Sequence, residues 1–352
     1  MPDFEIDSQS ELIAPALTGR VKALVASFER IGRESMRGLP FYNESLSVEA
    51  IGFDRFGDGW LGVLITPWFM NLMLVSDQPM VRVQHHAAHI AAIAAEHGIA
   101  GPLLGVALDG HGHGDDGAAW GGEIMLIEGE SWQRLGHLSP LALPGGDRAA
   151  RSPWRMGVAA LHAHGQLDRA AETFAGIPAA AELARLMRNG LIVPMTTSAG
   201  RLFDAAAALL GVCLEQRYEG QAAAELEALV RLPHAVTGGY RIEGGVLDFK
   251  PLLAVLSAPG LSPREGAELF HGTFADGLAD WIACFAAHGG GRVALGGGCM
   301  MNCVLTESLC ARLSARGLAP LLARAVPPND GGLSLGQAFV ARHQISTVGK
   351  DA

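Results

Sequence analysis

Apolar and polar positions change their period several times along the chain, and each change predicts an element. Residues 20–38, "RVKALVASFERIGRESMRG", repeat apolar positions at three and four and close on a glycine, so an amphipathic helix is expected there. "LSVEAIGFDRFGDGWLGVLITPWFMNLMLV" reads as two or three strands around a Gly-Asp-Gly turn, and the polar "SDQPM" marks a boundary near residue 79. "VQHHAAHIAA" opens a second helix, closed by Gly98. "PLLGVAL" (102–108) is a continuous apolar run, as in a strand buried on both faces. It leads through a glycine-rich hairpin, "DGHGHGDDG", with Asp109 at the exit of the first strand, into the strand "WGGEIMLIEG". Helices dominate residues 155–230. A last section follows: helix 265–288, strand 292–295, a glycine loop, helix 300–316, strand "APLLA", the loop "PPNDGG" and helix 333–343. The alternation specifies an α/β protein.

Composition narrows the class. The 352 residues suffice for one large or two ordinary domains, and 49% hydrophobic content with 46 glycines suits strands and helices joined by many tight turns. No apolar run reaches the length of a membrane span. The acidic start "MPDFEIDSQS" lacks the basic opening of a signal peptide, so a cytoplasmic chain with no membrane partner is expected. A formal charge of −10 disfavours nucleic acid as a partner. Five cysteines without a CxxC pair argue against a disulfide framework and a zinc ribbon. Cys299, Cys303 and Cys310, at helical spacing, are expected to be small core residues.

The candidate chemistry begins with His85 and His89. At i and i+4 they share a helix face and can turn both imidazoles to one ion, although the same spacing also suits a solvated or hydrogen-bonded pair. His86 lies around the side and reads as outer support or surface. "GHGDDG" matches GxGxxG but is followed by a strand, so it is no dinucleotide fingerprint. Beside Asp109 it suits backbone amides near phosphates and a carboxylate facing an ion, or else a plain glycine turn. "RVALGGGCMMN" is strand, glycine loop and helix start. Gly297 would let the backbone approach a nucleotide, and Asn302, one turn into the helix, could bond a base or ribose. Asp330, just before a helix, reads alone as an N-cap, and beside two histidines as a metal ligand.

Seven segments in this order resemble one known family: "VQHHAAHIAA", "GVALDGHGHGDDGAAWGGE", "LPGGDRAARSPWRM", "SAGRLFDAAAALLG", "YEGQAAAELEAL", "GGGCMMN" and "PPNDGGLSLGQA". They are similar to the C-terminal domain of the hydrogenase maturation carbamoyltransferases of the HypF type, kin to the TsaD-type tRNA threonylcarbamoyl-transfer enzymes. The resemblance implies actin-like ATPase (RNase H-like) lobes around a nucleotide and metal cleft. It implies a divalent metal, zinc or iron, on His85, His89, Asp109 and Asp330, with Asp109 catalytic. It also implies ATP, AMP or carbamoyl-adenylate held by Asp204 at the ribose and by Gly220, Gly297 and Asn302 around the adenosine. The implied reaction carries a carbamoyl group to the C-terminal cysteine of HypE, the partner.

The sequence departs from that family in three ways. The upstream domains of full-length HypF and the first strand pair of its transferase domain are missing, and Ala87 stands where a further histidine is often seen. In front, "GLPFYNESLSVEAIGF" and "TPWFMNL" resemble HybE-type hydrogenase assembly proteins, which implies contact with hydrogenase subunits. The expected organisation is an arm over 1–20, a small α+β HybE-like segment over 21–78, a transferase domain over 79–346 and a tail over 347–352. A non-catalytic assembly scaffold and a tRNA-modifying enzyme remain as alternatives.

Overall fold

The computed structural model describes residues 51–56, 59–64 and 81–348, with the backbone alone for 51–56, 59–64 and 344–348. The chain divides into two compact units, Met1–Val81 and Arg82–Ala352. In the first, β1 (Ile51–Phe56) pairs antiparallel with β2 (Gly59–Leu64), Ile51 opposite Leu64, as the Gly-Asp-Gly pattern predicts. The expected helix over 20–38 and the apolar residues Trp68, Phe69, Met70 and Leu72 lie outside the described residues.

The second unit is built on one mixed sheet. Its strands are β3 (Leu103–His113), β4 (Ala119–Glu128), β5 (Ser131–Leu138), the short β6 (Leu141–Ala142) and β7 (Met195–Thr196), β8 (Arg241–Glu243), β9 (Val246–Asp248), β10 (Arg292–Gly296) and β11 (Ala319–Leu321). Their order is β11-β10-β3-β4-β5-β9-β8, with β6 and β7 paired beside β4. β3, β4 and β5 form an antiparallel meander, and β10 and β11 continue from β3 in parallel. A meander extended by parallel strands is the layout expected of an RNase H-like lobe.

β3 shows why its sequence is apolar without alternation. Leu104, Val106 and Leu108 face one core, with Phe203, Phe270 and Trp281, while Leu103 and Ala107 face a second, with Ile90, Ile93 and Met125. Both faces are covered, so both parities must be apolar. Each such side chain contributes roughly 1.5–3 kcal/mol on burial. The second core lies under α1 (His85–Glu96), whose alanines let neighbours come close. A Cβ on Gly105 would lie 2.5 Å from Ile90, and one on Gly336 only 1.8 Å from the Ala88 carbonyl. The second contact brings the C-terminal helix against α1.

The first core is covered by α2 (Pro153–Ala163), α3 (Pro178–Arg188), α4 (Ala199–Leu209), α5 (Gln221–Ala228), α6 (Lys250–Leu256) and α7 (Pro263–Ala283). α7 starts at a capping box between Ser262 and Glu265, with Pro263 in its first turn. α8 (Cys303–Ala315) and α9 (Leu333–Val348) complete the unit. No helix among the described residues is long and apolar enough to cross a membrane.

Two expectations are corrected here. Residues 109–113 are not a loop: β3 runs on to His113, with a register break between Leu108 and Gly112 that places Asp109 at an irregularity inside the strand. The cysteines are not core residues: Cys303 is exposed, and Cys299 and Cys310 are half-buried. Their spacing brings them to the rim of the core, because Cys299 lies in a separate 3-10 turn (Gly298–Met301) before α8 begins.

Candidate metal and nucleotide site

β10 ends at Gly296 opposite Ala107 of β3, and Asp109 lies two residues further along β3. α1 begins at Gln84, whose Oε1 accepts from the Ala87 N–H at 2.8 Å, so its first two turns present His85 and His89 to Asp109. Four donor atoms converge within 4.8 Å of one another: Nε2 of both histidines and one carboxylate oxygen each from Asp109 and Asp330. Asp109 Oδ2 lies 2.9 Å from His85 and 3.1 Å from His89; Asp330 Oδ1 lies 3.6 and 3.5 Å from them; the two imidazole nitrogens are 3.3 Å apart. Ligands placed tetrahedrally on an ion with bonds of zinc length stand about 3.3 Å apart. These separations and the two-imidazole, two-carboxylate donor set fit a borderline divalent cation. Burial opposes charge on His89, yet the Asp109 and Asp330 carboxylates outweigh it and raise its pKa to about 9. Burial likewise opposes ionisation of Asp109, but hydrogen bonds from His85 and His89 hold its carboxyl well below the usual range.

The surrounding residues fix the orientation of Asp109. Its Oδ1 accepts from the N–H of Gly110 at 2.8 Å and of Gly298 at 3.3 Å. Ser198, the N-cap of α4, donates to the carbonyls of Asp109 and Gly110 at 2.8 Å each, pinning the irregular strand. Behind His85, His86 is fully buried rather than superficial. Gln84 Nε2 lies 2.9 Å from its Nδ1, and burial pushes its pKa down to about 2, so the ring is neutral. Asp330 is not the cap of its turn: Asn329 is, accepting from the Gly331 N–H at 3.1 Å. That division of labour leaves the Asp330 carboxylate free to face the histidines.

The residues expected around a nucleotide are arranged differently. Asp204 is buried in α4, where Gln216 Nε2 donates to its Oδ1 at 3.0 Å. Arg201 Nε lies 2.8 Å from its Oδ2 without hydrogen-bond alignment, and burial prevails, raising its pKa to about 6. Gly220 caps α5 at φ +77°. Gly297, at φ +94°, donates its N–H to the Pro328 carbonyl at 3.0 Å, and a Cβ there would lie 2.3 Å from the Leu108 carbonyl oxygen. Asn302 is not one turn inside a helix. It caps α8, its Oδ1 accepting from the Leu305 N–H at 2.8 Å and its Nδ2 donating to His271 Nε2 at 3.1 Å.

With this geometry in hand, comparison with known proteins is direct. Residues 105–337 match the family model "Carbamoyltransferase, Kae1-like Domain, second subdomain", and residues 19–94 match "[NiFe]-hydrogenase assembly, chaperone, HybE". The chain is 55% identical over 269 residues to "Carbamoyltransferase HypF" of Rhizobium leguminosarum bv. viciae, covering 76% of this chain and 35% of that one. It is 48% identical over 283 residues to "Carbamoyltransferase HypF homolog" of Cupriavidus necator, covering 76% of this chain and 72% of that one. The chain belongs to the HypF carbamoyltransferase family. Among solved structures, full-length HypF in its phosphate- and nucleotide-bound form superposes with a TM-score of 0.71 at 30% identity, over 78% of this chain and 37% of that one. The chain thus spans about a third of the length of the Rhizobium relative and of the solved full-length HypF.

Residues from four of the HypF-type motifs therefore meet beside β3 and β10. The structure gathers His85, His89, Asp109 and Asp330, and it leaves Asp204 and Asn302 engaged with protein partners. Sequence reasoning missed Ser198, although a serine ahead of an apolar helix is an N-cap signal. It also missed Glu123, fully buried, whose Oε2 accepts from Arg134 at 2.6 Å and whose Oε1 accepts from Gly121 and Gly122. Thr197 donates to the same Oε1, tying β4 to the segment before α4.

Proposed function

We propose that this chain carries out the transfer step of hydrogenase maturation, moving a carbamoyl group from carbamoyl-adenylate to the C-terminal cysteine thiolate of HypE. The thiolate sulfur would bond to the carbamoyl carbon as the bond to the adenylate phosphate oxygen breaks, releasing AMP. The observation that carries the reading is the convergence of His85, His89, Asp109 and Asp330. Asp109 sits at the irregularity in β3 just past the carboxyl end of its parallel neighbour β10, close to a usual ligand position in α/β sheets. A zinc or iron ion held there would supply Lewis acidity toward carbamoyl or phosphate oxygens.

The chain's own residues orient and hold. Asp109 keeps both imidazole Nε2 atoms turned to one point, and Ser198 and Gly298 keep Asp109 in place. Gly220, with open space where a Cβ would sit, and the Gly297 backbone would lie beside the adenosine, and Asp204 would accept from ribose hydroxyls. Contact with hydrogenase subunits through the front segment, residues 21–78, is supported by the HybE family match. Purified protein incubated with carbamoyl-adenylate and HypE should add the mass of one carbamoyl group to the HypE cysteine. An unmodified cysteine would overturn the transferase reading and favour the assembly-scaffold alternative.

A further inference from the structure

The helix that presents His85 and His89 in its first turns ends at Glu96. A carboxylate in the last turn faces the negative end of the helix dipole, an unfavourable place. Glu96 is occupied there by contacts outside its own helix. Its Oε2 accepts from the N–H of Arg324 at 2.7 Å, and its Oε1 accepts from the N–H groups of Ala325 at 2.6 Å and Val326 at 3.0 Å. The adjacent His97 donates from Nε2 to the Leu322 carbonyl at 2.8 Å. One carboxylate thus satisfies three successive amides of the segment leading to Asp330. Burial opposes its charge, and those three amides still hold its pKa below the ordinary value.

Only Pro327, Pro328 and Asn329 separate this clamp from Asp330. The two proline rings fix φ near −65°, and Pro328 also keeps the residue before it extended, so the short span is stiff and transmits the clamp's position. At its far end, the Gly297 N–H holds the Pro328 carbonyl at 3.0 Å. Asp330 needs such support, because its side chain is 57% exposed and no surrounding core fixes it.

We propose that Glu96 is a positioning residue for the metal site. It fastens the Asp330 segment to the helix that carries the two histidines, so one helix sets the relation among three of the four ligands. This rests on the metal reading above, and the experiment separates the two. Zinc affinity of the full chain is measured by competition with a chelator, for the wild type, Glu96→Gln, Asp330→Ala and the double variant. The expected result is a 10–100-fold weaker affinity for Glu96→Gln, the range for lost outer-shell support, and no further loss when Glu96→Gln is added to Asp330→Ala. Wild-type affinity in Glu96→Gln, or an equal loss in both backgrounds, overturns the proposal. Wild-type protein that takes up no zinc overturns the metal reading itself. Hydrogen exchange on the wild type gives a check independent of any variant's folding: amides 324–326 should be protected, and unprotected amides would remove the clamp.

Discussion

The four residues proposed to hold a metal and those proposed to hold a nucleotide spend their polar atoms differently. His85, His89, Asp109 and Asp330 turn four donor atoms to one point, with their own hydrogen bonds mostly to one another. Asp204, Gly297 and Asn302 point theirs at Gln216, Pro328, Leu305 and His271. The carboxylates of Asp109 and Asp330 favour charge on the buried His89 ring. Of the second group, the Gly297 N–H and Asn302 are satisfied by the protein, whereas Asp204 Oδ2 has no hydrogen-bond donor. A polar cluster that needs a guest and one that supports a surface look alike in sequence, and partner atoms separate them.

Four measurements would sharpen or break this contrast. The largest effect is expected from the His85→Ala, His89→Ala double variant, which should lose its bound divalent metal entirely in elemental analysis; unchanged metal content would refute the first half of the comparison. Gly297→Ala comes next. It forces a side chain into the left-handed region and against the Leu108 carbonyl, and urea denaturation should show a cost of roughly 2–5 kcal/mol.

The third test concerns the support beneath Asn302. Burial lowers the His271 pKa to about 4, while its Nδ1–H donates to the Ala267 carbonyl at 2.9 Å and its Nε2 accepts from Asn302. The folded value lies below the unfolded value of 6.5, so the unfolded chain takes up the proton first as pH falls. Stability from this residue is complete above about pH 6.5, declines toward pH 4, and should lose about 3 kcal/mol in all. Urea midpoints across that window, compared with His271→Gln, check it; the same slope in the variant would assign it elsewhere. The smallest effect is expected for Asp204→Ala, which should weaken AMP binding by about 1–3 kcal/mol in calorimetry. Unaltered AMP affinity would confine Asp204 to its pairing with Arg201.

Much of this was legible in the chain. The HxxxH face, the doubly buried run ending at Asp109, the strand-glycine-helix at 292–302 and the loop before residue 333 all follow from period and punctuation, which act over a few residues. The structure bears out the α/β class and the RNase H-like layout. The capping assignments did not follow, because Asn329 and Asp330 are adjacent residues with similar capping propensity. The Asp330 side chain faces histidines more than 240 positions earlier, while Asn329 bonds the nearby Gly331 N–H.

What the sequence determined by itself was local: which segments become helix or strand, and which residues stand at their ends. Helix periodicity and glycine placement encode those choices through neighbouring backbone and side-chain sterics. Only the tertiary structure decided that His86 is buried and neutral, that Asn302 is spent on a cap and on His271, that the cysteines stay at the rim, and that Glu96 holds the Asp330 segment. The Asn302–His271 and Glu96 contacts depend on hydrogen-bond partners brought together from distant parts of the chain, and the burial of His86 and the place of the cysteines depend on how the elements pack.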